Sequence, residues 1–378
     1  MKKVYFITRT LPDGNSGGAL IRRGQIKFLR EKGYKVVIVA PGKKTEIRED
    51  EIYIKYNNSK LSLLFNVFLS YFRFKCDYLA NWAESALPVL EGIITDKDVV
   101  IATSGGEMGT LYLVSLLKKK VGCKCILNLH DPIVHTLLEG EYSYKSRYPV
   151  PSRDKSEKLI FENVDSIITS SQYYCDYLKK KYSKMRNIFS CHHFGYINKI
   201  FKPQMVGRES KRLNVIYGGN MGHLQGPEIL VDVAKLCPEI DFTLVGNVSF
   251  DIPSNIDNIQ CLPMMKYEDF VDYMIKNADI GFFSLRGSIA KWCVPSKLYE
   301  YINVGIPILA AIQGDARNIV RENEYGYACD YNVDQIVLSL RKMQSENAIQ
   351  KIKCNILKNR DDWYMGNTIN ELISVIEK

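Results

Sequence analysis

No CxxC pair occurs among the ten cysteines of this 378-residue chain, and there are only five histidines. Paired thiol or imidazole ligands at zinc spacing are therefore missing. Cys191-His192-His193 is the one local concentration of such groups. No second ligand pair follows it, so it reads as a polar loop, and no structural metal is expected. The scattered cysteines, as in Cys123-Lys124-Cys125-Ile126-Leu127, read as reduced core residues. Apolar runs stop short of the ~18–20 uncharged residues that a spanning helix needs. The opening Met1-Lys2-Lys3-Val4-Tyr5-Phe6-Ile7 turns polar too soon for a signal peptide. The expectation is a cytoplasmic protein, or one on the cytoplasmic face of a membrane. GxGxxG and GxxxxGK[ST] are both absent, and the strands that should hold a ribose end instead in Val39-Ala40-Pro41 and Val245-Gly246-Asn247. Dinucleotide chemistry and P-loop ATP hydrolysis fall in rank. Helix-turn-helix, zinc-finger and RNA-binding patterns are missing too, which argues against a nucleic-acid partner.

What is present is an ordinary globular composition, 46% hydrophobic and 25% charged, with a formal net charge of +9. A chain this long holds two cores. Lys3 to Thr8 is a β-prone run, followed by the turn-rich Leu11 to Gly18, a helical pattern over Ala19 to Lys32 and a strand over Lys35 to Ala40. The unit recurs with strand Leu213 to Tyr217, glycine loop Gly218 to Gly226, helix Pro227 to Cys237 and strand Phe242 to Val245. Strands are also expected at Asp98 to Ala102, Cys125 to Asn128, Ser166 to Thr169, Ile259 to Leu262, Ile280 to Ser284 and Pro307 to Ala311, alternating with helices. Such alternation implies parallel sheets. The fold class is α/β, with two doubly wound Rossmann-like domains facing a cleft. Residues 1–195 form the first domain and 196–365 the second, and 366–378 form a helix returning to the first. The linker is expected within Cys191 to Arg212.

A glycine-rich turn between strand and helix brings free N–H groups and the positive helix end together, which suits a phosphate. Gly17 and Gly18 open one such helix, and Gly219, Asn220 and Gly222 form the second loop. Further on, Pro295-Ser296 reads as a helix start with Ser296 as N-cap. Lys297 in the first turn is electrostatically misplaced unless an anion is near, and Glu300 shares its face at i, i+3. Lysine then grips a diphosphate while glutamate accepts from sugar hydroxyls. The alternative is an exposed ion pair on a solvated helix.

Gly219 to Gly226, Pro295-Ser296-Lys297 and Glu300-x4-Gly305-x-Pro307 together resemble the GT-B glycosyltransferases of the large retaining family 4, in the branch of O-antigen and capsule fucosamine transferases. The resemblance implies transfer of a hexose or N-acetylated sugar, with retention, from a nucleotide-diphosphate donor, UDP-linked, to a hydroxyl. That donor is a substrate, and no cofactor or metal is implied. Many members carry Arg and Lys in the second loop, where this chain has Asn220 and Gln225, and the first of the family's two glutamates is replaced by Trp292. By the same resemblance Glu300 meets the donor ribose. His130, in Asn128-Leu129-His130-Asp131-Pro132, stands where similar enzymes place a histidine against the donor sugar. The catalytic candidates are thus His130, Lys297 and Glu300. Phosphate contacts are assigned to Lys297, to the helix start at Ser296 and to the amides of Gly17, Gly18 and Gly219. Gly105, Gly106 and Glu107, which end another strand, are placed on the acceptor side, or else form a simple helix-starting turn.

Leu61 to Lys75 is rich in large apolar and basic residues and suits an interfacial helix, with a core helix as the alternative. With Lys118-Lys119-Lys120 and Lys179-Lys180-Lys181 it points to an anionic membrane surface, a peripheral location on the inner face of the cell membrane and a lipid-linked or glycan acceptor. A nucleotide-sugar epimerase and a non-catalytic sugar-nucleotide-binding protein are the competing readings.

Overall fold

The protein is described by a computed structural model over residues 2–9, 17–56, 59–69, 72, 77, 79–133, 150–185, 188–200 and 212–378. It divides into two compact units, Met1–His193 with Thr368–Lys378, and Phe194–Asn367.

The strands of the first unit are β1 (Lys3–Ile7), β2 (Lys35–Gly42), β3 (Glu46–Ile47), β4 (Glu51–Lys55), β5 (Val99–Ser104), β6 (Lys124–Leu129), β7 (Ser166–Thr169) and β8 (Ile188–Cys191). They lie in the order β3-β4-β2-β1-β5-β6-β7-β8, parallel except for the β3–β4 pair. The second unit has β9 (Asn214–Gly218), β10 (Asp241–Val245), β11 (Ile259–Leu262), β12 (Ile280–Ser284), β13 (Ile308–Ala311) and β14 (Gly326–Cys329), in the order β11-β10-β9-β12-β13-β14 and all parallel. Both sheets reverse direction beside their first strand, at β1/β5 and at β9/β12. In such sheets ligands bind beyond the carboxyl strand ends at that switch point. The central strands are buried along their whole length, Val99 to Ser104 in one sheet and Ile280 to Ser284 in the other, as expected with helices on both faces.

The helices of the first unit are α1 (Gly17–Glu31), α2 (Lys60–Leu69), α3 (Ala80–Glu91), α4 (Gly109–Val121), α5 (Val150–Phe161) and α6 (Gln172–Lys181). Those of the second are α7 (Ile229–Leu236), α8 (Tyr267–Asn277), α9 (Ser296–Val304), α10 (Asp315–Glu322), α11 (Val333–Met343) and α12 (Glu346–Asn359). The last helix, α13 (Met365–Glu377), enters the first unit at Thr368. There Ile369, Leu372, Val375 and Ile376 are buried, and the Ile376 carbonyl accepts from Lys2 Nζ at 3.1 Å and Lys124 Nζ at 3.0 Å.

Several elements go beyond the sequence reading. The short β3, β4, β8 and β14 and the helices α3, α6, α10, α11 and α12 were not anticipated. Four or five residues such as Ile188–Cys191 carry too little periodicity to stand out. The expected linker starts on the last residue of β8, and its residues 201–211 lie outside the described residues, as do 11–16 of the first glycine-rich turn and 70, 71 and 73–75 of the Leu61 to Lys75 segment. Not every cysteine is a core residue, since Cys261 and Cys354 are exposed. Cys261 is on edge strand β11 and Cys354 on the outer side of α12, where no second layer covers them. His192 and His193 serve as hydrogen-bonding groups of the first unit, facing Glu371 at 3.4 Å and the Ser170 carbonyl at 3.2 Å. Among the described residues no helix is long and apolar enough to cross a membrane.

Candidate active site

The second unit assembles its site where β9 ends. Gly218 closes the strand and Gly219 turns at φ 102°, a left-handed value that favours glycine. A Cβ on Gly219 would sit 3.6 Å from Lys297 Nζ, so loop and lysine share one small volume. The ammonium also lies over the Tyr217 ring, 4.8 Å from its centroid. Burial lowers the Lys297 pKa from its ordinary range to about 8.

α9 positions that lysine. It packs onto the sheet through Tyr301, which fits against Gly281 of β12 where a Cβ would collide at 2.6 Å, and the Tyr301 hydroxyl donates to the Phe282 carbonyl at 2.9 Å. Gly305 then ends the helix at φ 81°, its N–H donating to the Tyr301 carbonyl at 3.0 Å. The Gly305-x-Pro307 part of the motif is accordingly a helix stop that starts β13.

The helix start differs from expectation. Pro295 is the N-cap and Ser296 the first helical residue, because the proline has extended backbone angles, φ −63° and ψ 137°, and its missing N–H suits the position before the first turn. Pro295 makes no side-chain capping bond at this end. The first-turn N–H groups of a helix lack intrahelical partners, and Lys297 lies in that turn, an arrangement that favours an anion.

Glu300 is not the partner of Lys297. Among the described residues no ion pair joins them, and the Tyr267 hydroxyl, at the start of α8, donates to Glu300 Oε2. Burial raises the Glu300 pKa to about 7, against the smaller opposing effect of that hydrogen bond. The solvated ion-pair alternative therefore fails: two half-buried, oppositely charged groups on one face are held apart by separate aromatic neighbours.

The amide of Gly219 is also corrected. It donates to the Val245 carbonyl at 2.9 Å, so it already belongs to the sheet, and Gly219 contributes space and not a donor. Asn220 is exposed, and its carbonyl accepts from the Tyr217 hydroxyl at 2.6 Å. At Gly222 a Cβ would come within 2.8 Å of Gln225 Oε1. Arg286, just past β12, was missed by sequence reasoning. It donates through Nε to the His223 carbonyl and pairs with Glu228 at 2.8 Å, so it braces the loop. Its place at the end of a switch-point strand was the available signal. Tyr267 and Tyr217 had none.

In the first unit, Gly17 and Gly18 open α1, and a Cβ on Gly18 would lie 3.6 Å from Arg22 Nη1. Arg22 is only 5% exposed. Burial, then Arg9, lowers its pKa against the opposing charges of Glu107 and Asp131. The signal for Arg22 was its place on the buried stripe Ala19, Arg22, Ile26, Leu29. Glu107 is 1% exposed; its carboxylate accepts from the Gly105 N–H at 3.0 Å and faces Arg9 at 3.9 Å. The Gly106 N–H donates to Ser104 Oγ at 3.0 Å. This Ser104–Glu107 segment is thus the helix-starting turn of α4 and a buried charge centre at once. His130 directly follows β6, its N–H donating to the Ser104 carbonyl at 2.8 Å. Burial first, then the charges of Arg22 and His192, holds its pKa well below the usual imidazole range, so the ring is neutral.

No protein-family model matches the sequence, and no curated protein does. Solved structures match over the full length. Sucrose-phosphate synthase from Thermosynechococcus elongatus aligns at a TM-score of 0.72 with 14% identity, covering 100% of this chain and 98% of that one. The Escherichia coli trehalose-6-phosphate protein bound with UDP-2-fluoro glucose gives 0.68 and 12%, covering 100% and 99%. HepE of Anabaena in complex with UDP-glucose gives 0.66 and 14%, covering 99% and 98%. The fold is accordingly the α/β GT-B fold of these glycosyltransferase structures, with two Rossmann-type sheets built from one chain.

Proposed function

We propose that the protein is a retaining glycosyltransferase that moves a sugar from a UDP-linked donor to a hydroxyl of a cell-surface glycan or a lipid-linked precursor. The observation that carries this is the meeting of the Lys297 ammonium, from the first turn of α9, with the space above Gly219 and the Tyr217 ring. UDP as the carrier is supported by the ligands named for two similar folds, UDP-2-fluoro glucose and UDP-glucose. Retention, and a place near family 4 and its O-antigen branch, rest on the motif resemblance.

In this reading the second unit binds the nucleotide. Glu300 accepts from the ribose hydroxyls, oriented by Tyr267. The bond from the sugar's anomeric carbon to the diphosphate oxygen breaks while a bond to the acceptor oxygen forms. The acceptor proton passes to a leaving-phosphate oxygen, so no protein nucleophile is required. Lys297 and the α9 N–H groups stabilise the charge that develops on the leaving diphosphate. Neutral His130 offers a hydrogen bond to the transferred sugar and not a base. Because lysine and helix end supply the positive charge, no metal is needed, and activity should persist in EDTA. Loss in EDTA with rescue by magnesium would overturn that part.

The deciding experiment incubates radiolabelled UDP-sugars with lipid-linked and soluble glycan acceptors. A new glycoside that disappears in Lys297→Ala supports the proposal. An isomerised donor would identify an epimerase instead, and donor binding without turnover would identify a binding protein.

A further inference from the structure

α2 is built inside out. Its Asn66 is buried to 1% exposure, and Ser62, one turn earlier, accepts from Asn81 Nδ2 at 3.0 Å. The opposite face carries Leu61, Leu64, Phe65 and Phe68, continued by Phe72, all between 57% and 80% exposed. Their spacing of three and four residues makes one continuous apolar stripe. A helix that buries Asn66 and presents Leu61, Leu64, Phe65 and Phe68 outward, with Phe72 exposed just past its end, leaves a large apolar stripe in water, and a stripe of this kind marks a contact surface.

Topology tells which edge bears it. β4 runs parallel to β2, and α2 starts five residues after β4 ends, so the stripe begins at the carboxyl edge of the sheet, the edge that also carries Glu107 and His130. The same edge collects Lys43 and Lys44 after β2, Lys55 at the end of β4 and Lys60 at the start of α2, all exposed. The Lys55 N–H donates to Thr45 Oγ1 at 3.2 Å, which brings the two lysine-bearing turns together. Glu46, paired with Lys44 at 2.7 Å, is the acidic residue of that group. The unit as a whole holds 32 Lys and Arg against 22 Asp and Glu, whereas the second unit holds 19 against 20. The two lysine triplets do not contribute here. They end α4 and α6, at the opposite edge, where Lys118 pairs with Asp165 at 2.8 Å and Lys181 with Glu157 at 2.6 Å.

We propose that α2 lies flat on an anionic phospholipid bilayer, with Leu61, Leu64, Phe65, Phe68 and Phe72 among the acyl chains and Lys43, Lys55 and Lys60 at the headgroup phosphates. Apolar insertion and lysine attraction each give weak binding, and together they hold a protein at an interface. This deepens the lipid-linked-acceptor reading above by naming the surface that meets the membrane.

The test uses the full chain and vesicles of phosphatidylcholine with or without phosphatidylglycerol. Wild type should float with the anionic vesicles and lose binding as salt rises. Phe65→Ser/Phe68→Ser/Phe72→Ser should bind more than about tenfold more weakly, with its thermal midpoint and UDP-sugar binding unchanged. Lys43→Glu/Lys55→Glu/Lys60→Glu should abolish the preference for anionic lipid. As a check that does not depend on the triple variant folding, Phe68→Trp should show a blue-shifted emission on adding anionic vesicles. No flotation of wild type, or no blue shift, overturns the proposal. So does a wild-type dimer that the serine variant turns into a monomer, because a second copy then covers the stripe. Vesicle binding without any UDP-sugar binding would leave this inference standing and remove the transferase reading instead.

Discussion

The two units share the order of their six central strands and differ in what fills the carboxyl edge of the sheet. In the second, glycine makes a hollow that Lys297 reaches, while Glu300 of the same helix accepts from the Tyr267 hydroxyl. In the first, the edge is occupied by Arg22 and Glu107, 5% and 1% exposed, which face Arg9 and Asp131. One unit keeps its charges waiting for an external counter-ion, and the other compensates them internally. The lesson is that the doubly wound sheet supplies a location only, and the side chains at the switch point decide whether it stays open for a ligand or becomes part of the core.

That contrast breaks most severely at Lys297. Lys297→Ala should lower turnover by on the order of 10²–10³, from loss of one preorganised charge at the leaving group. Its thermal midpoint should not fall, because the folded pKa near 8 lies below the ordinary value of 10.5. The sign follows from linkage: the unfolded chain binds the extra proton between those values, so this lysine's contribution to stability declines as pH drops through that window. Next in size is the converse test in the first unit. Glu107→Gln should leave Arg22 and Arg9 without their buried counter-charge and cost about 3 kcal/mol in urea unfolding, with UDP-sugar affinity unchanged if the unit still folds. Equal loss of stability at both positions would erase the distinction between the units.

A smaller effect is expected at Tyr267. Tyr267→Phe removes the hydrogen bond to Glu300 and should raise the donor KM by about tenfold with kcat little changed, the pattern of a ground-state contact. The finest test is the pH profile. kcat/KM should need Glu300 ionised and Lys297 protonated, giving a narrow optimum with limbs at about 7 and about 8. Glu300→Gln should remove the acid limb alone, and Lys297→Arg the alkaline limb alone; a profile flat from pH 6 to pH 9 would dissociate both groups from donor use.

The α/β class was legible because glycine loops and alternating strand and helix patterns recur twice, and runs such as Val4 to Ile7 or Ile280 to Phe283 carry no charged residue. Lys297 was legible because a cation in a first helical turn contradicts the dipole. Tyr267 was not: it lies 33 positions before Glu300 and meets it only through the packing of α8 beside α9. The role of Gly219 was misjudged for a similar reason, since whether an amide is free depends on the neighbouring strand that takes it, here β10 at Val245. The inverted polarity of α2 was half visible, as apolar spacing shows a stripe but not which way it faces.

The final helix bears on biosynthesis. Because residues 368–378 complete the first unit and 194–367 form the second, the second is an insertion into the first, entered and left by single crossings. A ribosome delivers the whole inserted unit before the last piece of its host, so the second unit is free to fold while the first still lacks the helix whose Ile369, Leu372 and Ile376 enter its core. The order of maturation is then the reverse of the order of synthesis. The unit that begins first finishes last, and until it does its unfilled apolar slot is what a chaperone would recognise.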